Sequence, residues 1–193
     1  MSADRIAAIV YQGADPADDP LWMTSGARTR EEYGRWCRHC CGMACLRMAL
    51  HHRDGHAPPM LELLRGCLAY GGYVEDDQGT IKGLYYAPFA EYARAEHLLP
   101  AEVHAHLSLD GAIELLAAGR LVMASVHREI RRPHLPAPGR GGHLVLLTGY
   151  DGGLLHLHNP SGHTPEARRA VLPAEVFATF FANRGIDLHL ALP

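Results

Sequence analysis

The chain has 193 residues, 48% hydrophobic, 20% charged and 7% aromatic, with 18 basic and 21 acidic side chains and a formal charge of −3. That length and composition fit one soluble globular domain able to bury a core without staples. The lack of a basic field argues against nucleic acid as a partner. No apolar run approaches the roughly 20 residues of a membrane helix, so no membrane partner is expected. Met1–Ala8 carries Asp4 and Arg5 and lacks the basic start and long apolar stretch of a secretion signal, which points to a cytoplasmic protein.

In chain order, Asp4–Tyr11 reads as a short helix and Gly13–Pro20 as turn. Thr29 with Glu32 three residues on is a capping box, opening a helix through Trp36. Cys41, Ala44, Cys45, Met48 and Ala49 recur at helical spacing, forming one buried stripe that ends near His52. Further helices are predicted at about Pro59–Tyr70, stopped by Gly71-Gly72, at Ala87–His97, and from Asp110 as N-cap to Ala118. The second half turns to strands. Leu121–Val126 and His143–Tyr150 are apolar runs of strand length, and Asp151-Gly152-Gly153 is a hairpin turn leading into Leu154–Asn159. Ala167–Leu172 and Ile186–Leu190 are further strand candidates, with a helix at Pro173–Ala182 between them. The loop from His127 to Gly142 is long enough to suggest function. It holds Arg128, Arg131, Arg132 and Arg140, which are candidates to clamp a substrate carboxylate or phosphate.

Seventeen of the 18 basic residues are arginine, Lys82 being the exception, and there are 14 histidines, a bias typical of GC-rich bacterial genomes. Five cysteines stand at positions 37, 40, 41, 45 and 67. An odd total and such tight spacing do not make a secreted disulfide framework, so these are read as thiols. Cys41 enters a helix ahead of Gly42, where unpaired backbone N–H groups and the helix dipole lower a thiol pKa, with Arg35 and Arg38 nearby to lower it further. Cys45 and Cys67 read as core. Cys37-x-x-Cys40 with His39, His51 and His52 invites a zinc reading, but the second Cys-x-x-Cys half is missing, and no metal or other cofactor is assigned.

Across a hairpin turning at Asp151-Gly152, His143 and Asn159 fall nearly opposite each other, within reach for an amide oxygen to hold an imidazole N–H. An oriented imidazole is the base a thiol nucleophile needs. His104, His106, His156 and His158 sit at strand-like spacing and carry no assigned chemistry.

The run Cys41-Gly42-Met43-Ala44-Cys45-Leu46-Arg47-Met48, then Gly142-His143-Leu144-Val145-Leu146-Leu147-Thr148-Gly149-Tyr150-Asp151, then His158-Asn159-Pro160-Ser161-Gly162 resembles the papain-like cysteine peptidases. The branch it is most similar to is that of the bacteriocin-processing, double-glycine-leader peptidases, and the resemblance spans roughly residues 35 to 190. It implies Cys41 as nucleophile, His143 as base and Asn159 as the residue that orients the base. It also implies an α+β, papain-like fold in which an N-terminal helical half, 35–118, packs on a C-terminal antiparallel β half, 119–193, with 1–34 as an extension or insertion. The family carries a glutamine six residues before the nucleophile to help stabilise the oxyanion. Here that position is Arg35, and Gln12 could substitute if 13–34 is an insertion, so Arg35 and Gln12 are the oxyanion candidates. The expected activity is acyl transfer through a Cys41 acyl-enzyme on a peptide, amide or thioester substrate, including one borne on a carrier protein. It would hydrolyse an amide bond or form one, as papain-like folds also do in natural-product biosynthesis. The non-enzyme alternative is a degenerate member that binds a peptide or leader sequence in the cleft.

Overall fold

The computed structural model describes residues 19–190; the helix expected at Asp4–Tyr11 lies outside them. Helix α1, Arg30–Trp36, begins as the capping box predicts: the Thr29 hydroxyl accepts from the Glu32 N–H, while the Glu32 carboxylate reaches back to the Arg28 N–H at 2.5 Å. Helix α2, Cys41–Asp54, buries its small and sulfur-bearing face and stops at Gly55, whose φ of +76° a residue with a Cβ would adopt only under strain. Helices α3, Met60–Ala69, and α4, Tyr86–His97, follow within a residue of expectation. Helix α5, Leu109–Ala117, starts two residues early, because the Ser108 hydroxyl accepts from the Gly111 N–H at 3.0 Å; Ser108 is the cap and Asp110 lies in the first turn, where it suits the dipole.

Six antiparallel strands form one sheet in the order β1-β6-β2-β3-β4-β5, comprising Ala101–His104, Leu121–Val126, His143–Asp151, Leu154–His158, Arg169–Pro173 and Phe181–Leu188 for β1 to β6. Strand β1 lies in the half expected to be helical, between two predicted helices, where the sequence predicts no element. Only four residues long, it has no periodicity of its own and exists because β6 pairs with it, from Ala101↔Leu188 to His104↔Gly185. Two short helices flank β5: α6, Pro165–Arg168, and α7, Ala174–Phe180. The last strand begins at Phe181 rather than Ile186, since Phe181 pairs with Val126 and ends α7.

The sheet is covered on both faces, which explains why β2 and β3 read as continuous apolar runs rather than alternating ones. Met123, Leu144, Leu146 and Ile186 pack under α1–α4; Val122, Ala124, Val145, Leu147 and Leu157 pack on the other face with α5 and α7. Among the described residues no helix is long and apolar enough to cross a membrane.

Candidate active site

Helix α2 is held against the start of β3, where the Cys45 thiol donates to the Leu144 carbonyl at 3.7 Å. That contact sets Cys41, in the first turn of α2, beside His143, the first residue of β3. The two line one cleft of about 180 Å³ together with Leu84 and Leu144.

His143 is 7% exposed and Asn159 1%. The His143 Nε2–H donates to Asn159 Oδ1 at 2.8 Å. The backbone N–H of Ser161 also donates to Asn159 Oδ1, at 3.0 Å. A backbone N–H can only donate, so it fixes which end of the amide faces the ring, and with it the Nε2–H tautomer of His143. The Nδ1 lone pair is thereby left for a thiol proton. The Ser161 hydroxyl completes the cluster, donating to Asn159 Oδ1 at 3.0 Å and lying 3.1 Å from His143 Nε2. The Asn159 Nδ2 atom is buried with no hydrogen-bond partner among the described residues.

Asn159 is not the cross-strand partner of His143. The ladder pairs His158 with Leu146 and Leu157 with Leu147, and a bulge at Thr148 shifts the register before the turn at Gly152 and Gly153. Asn159 reaches His143 because the chain leaves β4 there. The Asn159 N–H bonds the Arg168 carbonyl and the Gly162 N–H bonds the Asn159 carbonyl, a tight turn that swings the amide back towards the start of β3.

The electrostatics depart from the sequence expectation. Burial pushes the Cys41 thiol above the ordinary thiol range, outweighing the backbone N–H groups of Leu144, Gly42 and Cys41 itself, which act to lower it. Burial likewise depresses His143 to about 4, aided by the charges of Arg131 and His127 and opposed by the Asn159 bond. The expected lowered thiol pKa is thus overturned: apolar packing around the first turn of α2 costs the thiolate more than the helix terminus gives it. At neutral pH the pair rests as thiol and neutral imidazole, an arrangement for general-base catalysis.

The other thiols belong to the core. Cys37 donates to the Gly34 carbonyl at 3.8 Å and Cys40 to the Trp36 carbonyl at 3.1 Å. Burial raises Cys37 to about 11 and Cys67 to about 12, and it holds Cys40 and Cys45 well above the ordinary thiol range. Glu102, Asp187 and His189 hold ligand atoms within 4.8 Å of one another, but the Arg120 guanidinium already neutralises Asp187 at 2.6 Å.

The expected oxyanion and substrate residues fall elsewhere. Arg35 lies outside the cleft, its guanidinium committed to the Glu75 carboxylate with its Nε at 3.3 Å. Gln12 lies outside the described residues. Arg131 and Arg132 are tied to Glu129, with Arg131 at 2.8 Å and the Arg132 Nε at 2.7 Å. Arg128 is 4.0 Å from the same carboxylate, and Arg140 is exposed. None of the four lines the cleft, because a short 3₁₀ helix, Arg128–Arg131, folds three of them around Glu129. The arginines that do line it are Arg38 and Arg184. Sequence reasoning passed over Ser161, Ser125 and Arg184. Only Ser161 had a local signal, in the Asn-Pro-Ser-Gly turn, where an Asn side chain accepts from the N–H two residues on.

No family model matches the sequence, and no curated protein is significantly similar to it. Among solved structures the fold is similar to a C39-like peptidase from Bacillus anthracis, with a TM-score of 0.58 and 15% identity over 80% of this chain and 90% of that one. It is also similar to the peptidase domain of Streptococcus ComA, a bifunctional ABC transporter involved in a quorum-sensing pathway, with a TM-score of 0.51 and 14% identity over 78% of this chain and 90% of that one. The chain has the α+β fold of papain-like peptidases of this C39 type.

Proposed function

We propose that this protein is a thiol-dependent acyl-transfer enzyme of cysteine-peptidase type, acting through a Cys41 acyl-enzyme. The observation that supports the reading is the 2.8 Å bond from His143 to Asn159, which leaves the Nδ1 lone pair free on a histidine that lines the same cleft as Cys41. Cys41 Sγ attacks the substrate carbonyl carbon as His143 Nδ1 takes the thiol proton, forming the S–C bond. Collapse of the tetrahedral intermediate breaks the bond to the leaving group, which departs with the proton held on His143. Water or an amine then attacks the thioester as His143 accepts its proton; the S–C bond breaks, the acid or amide leaves, and return of that proton to sulfur restores the thiol.

Hydrolysis and amide formation use the same three residues. Intact-mass detection of an acyl adduct on Cys41 with peptide thioesters tests the shared step, and added amines separate the outcomes by competing with water. An adduct on no substrate, with Cys41→Ser retaining the biological role, would replace the enzyme by the peptide-binding alternative. That alternative is favoured by one observation, the capture of Arg35 by Glu75, which leaves the family's oxyanion position facing away from the cleft.

A further inference from the structure

Strands β2 and β6 pair regularly up to Ala124↔Gly185, then slip by a bulge before Val126↔Phe181. Within the slipped segment Asn183 adopts a φ of +52°, and Arg184 lines the cleft of Cys41. Bulges of this kind re-aim side chains next to active sites. Opposite, Ser125 is 2% exposed, yet it lines the cleft. Between them passes Gly141, with a φ of +79°. A Cβ there would stand 3.2 Å from Arg184 Nη2, 3.4 Å from Ser125 Oγ and 3.2 Å from Ala182 Cβ. Lacking a side chain, Gly141 lets a guanidinium and a buried hydroxyl come together on the cleft wall, and the niche they share is the part of the cleft between Ser125 and Arg184. Arg38 and His39 stand on the cleft walls, and among the described residues no carboxylate lines them.

We infer that this niche is an anion subsite in which Arg184 and Ser125, around Gly141, bind a carboxylate of the acyl donor beside Cys41. The inference rests on the reading of Cys41 as nucleophile. A guanidinium and a hydroxyl can both donate to such a group, and the attraction between opposite charges favours a carboxylate over a neutral carbonyl.

The test compares alkylation of Cys41 by iodoacetate, an anion, and by iodoacetamide, its neutral analogue. Each reagent forms the same S–CH₂ bond, expels iodide and releases the thiol proton, so the protonation state of Cys41 cancels in the ratio of the two rates. The iodoacetate-to-iodoacetamide ratio at Cys41 is expected to exceed that of the same thiol in the unfolded chain by about tenfold. Arg184→Gln and Arg184→Glu should remove that excess, Arg184→Lys should keep most of it, and Ser125→Ala should reduce it. A ratio that stays within about twofold of wild type in Arg184→Glu overturns the subsite while leaving the nucleophile intact. A Cys41 inert to both reagents in the folded protein overturns the nucleophile, and the subsite with it.

Discussion

His143 Nε2 lies 2.8 Å from Asn159 Oδ1, although the two residues are 16 apart on the arms of a hairpin whose ladder pairs neither with the other. The contact is made by a turn, so the orientation of the base depends on the turn as much as on the strands. Asn159→Ala should leave a buried imidazole N–H with only the Ser161 hydroxyl, at a cost of about 1–3 kcal/mol, and lower kcat by roughly 10- to 100-fold. Comparing Asn159→Ala with wild type by steady-state kinetics and thermal melting checks both numbers; a variant as fast as wild type would remove Asn159 from the mechanism.

Ser161 is a positioning residue, touching both partners without reaching the cleft. Ser161→Ala should reduce kcat by less than about tenfold and shift the acid limb of the pH profile. Ser161→Thr, which keeps the hydroxyl, should restore that limb. A profile identical to wild type in the alanine variant would mean the serine serves the turn alone.

Because burial holds His143 near pH 4, the base stays neutral well below ordinary histidine titration. The acid limb of kcat/KM should fall near pH 4 rather than near 6.5. The folded state binds that proton less readily than the unfolded chain, so stability from this group is complete above the unfolded value, about pH 6.5, and is lost as pH falls towards the folded one. That loss amounts to about 3 kcal/mol. Chemical denaturation of wild type and His143→Gln between pH 4 and 7 should show the difference shrinking as pH drops.

Cys41 is the one cysteine of the five that is not fully buried. Iodoacetamide at pH 8, read by peptide mapping, should label Cys41 first in the folded protein and the rest only on unfolding. Its rate should climb through pH 9 because the thiol titrates above the usual range, and it should fall in His143→Ala. Labelling led by Cys37 or Cys40 would contradict the packing.

Arg35 is expected to matter little for turnover. With its guanidinium on Glu75 and outside the cleft, Arg35→Ala should change kcat/KM by less than about threefold, against the 10²- to 10³-fold loss that follows removal of an oxyanion donor. A loss of that larger size would place Arg35 at the reacting carbonyl.

Gly162 is required by close approach. A Cβ there would lie 2.5 Å from the Arg168 N and 2.7 Å from the Ala167 carbonyl oxygen, backbone atoms that no rotamer change relieves. Gly162→Ala should destabilise the fold by about 1–3 kcal/mol and displace the turn carrying Asn159, which calorimetry and kinetics would both register.

Features governed by neighbours in sequence were legible. The Thr29 capping box, the α2 stripe, the Gly152-Gly153 hairpin and the apolar runs of β2 and β3 all depend on bonds or periodicities a few residues long. Cys41, His143 and Asn159 could be named from their motifs for the same reason. What the chain alone determined was therefore its local elements, together with the three residues proposed for catalysis. Tertiary structure decided the rest: β1 formed because β6 lay beside it, 80 residues on; Ser125 and Arg184 met at Gly141 through a bulge; and Arg35 turned to Glu75. It also reversed the sign of the Cys41 shift. Desolvation depends on everything packed around an atom, and that packing is assembled from segments far apart in the chain, where no local pattern can encode it.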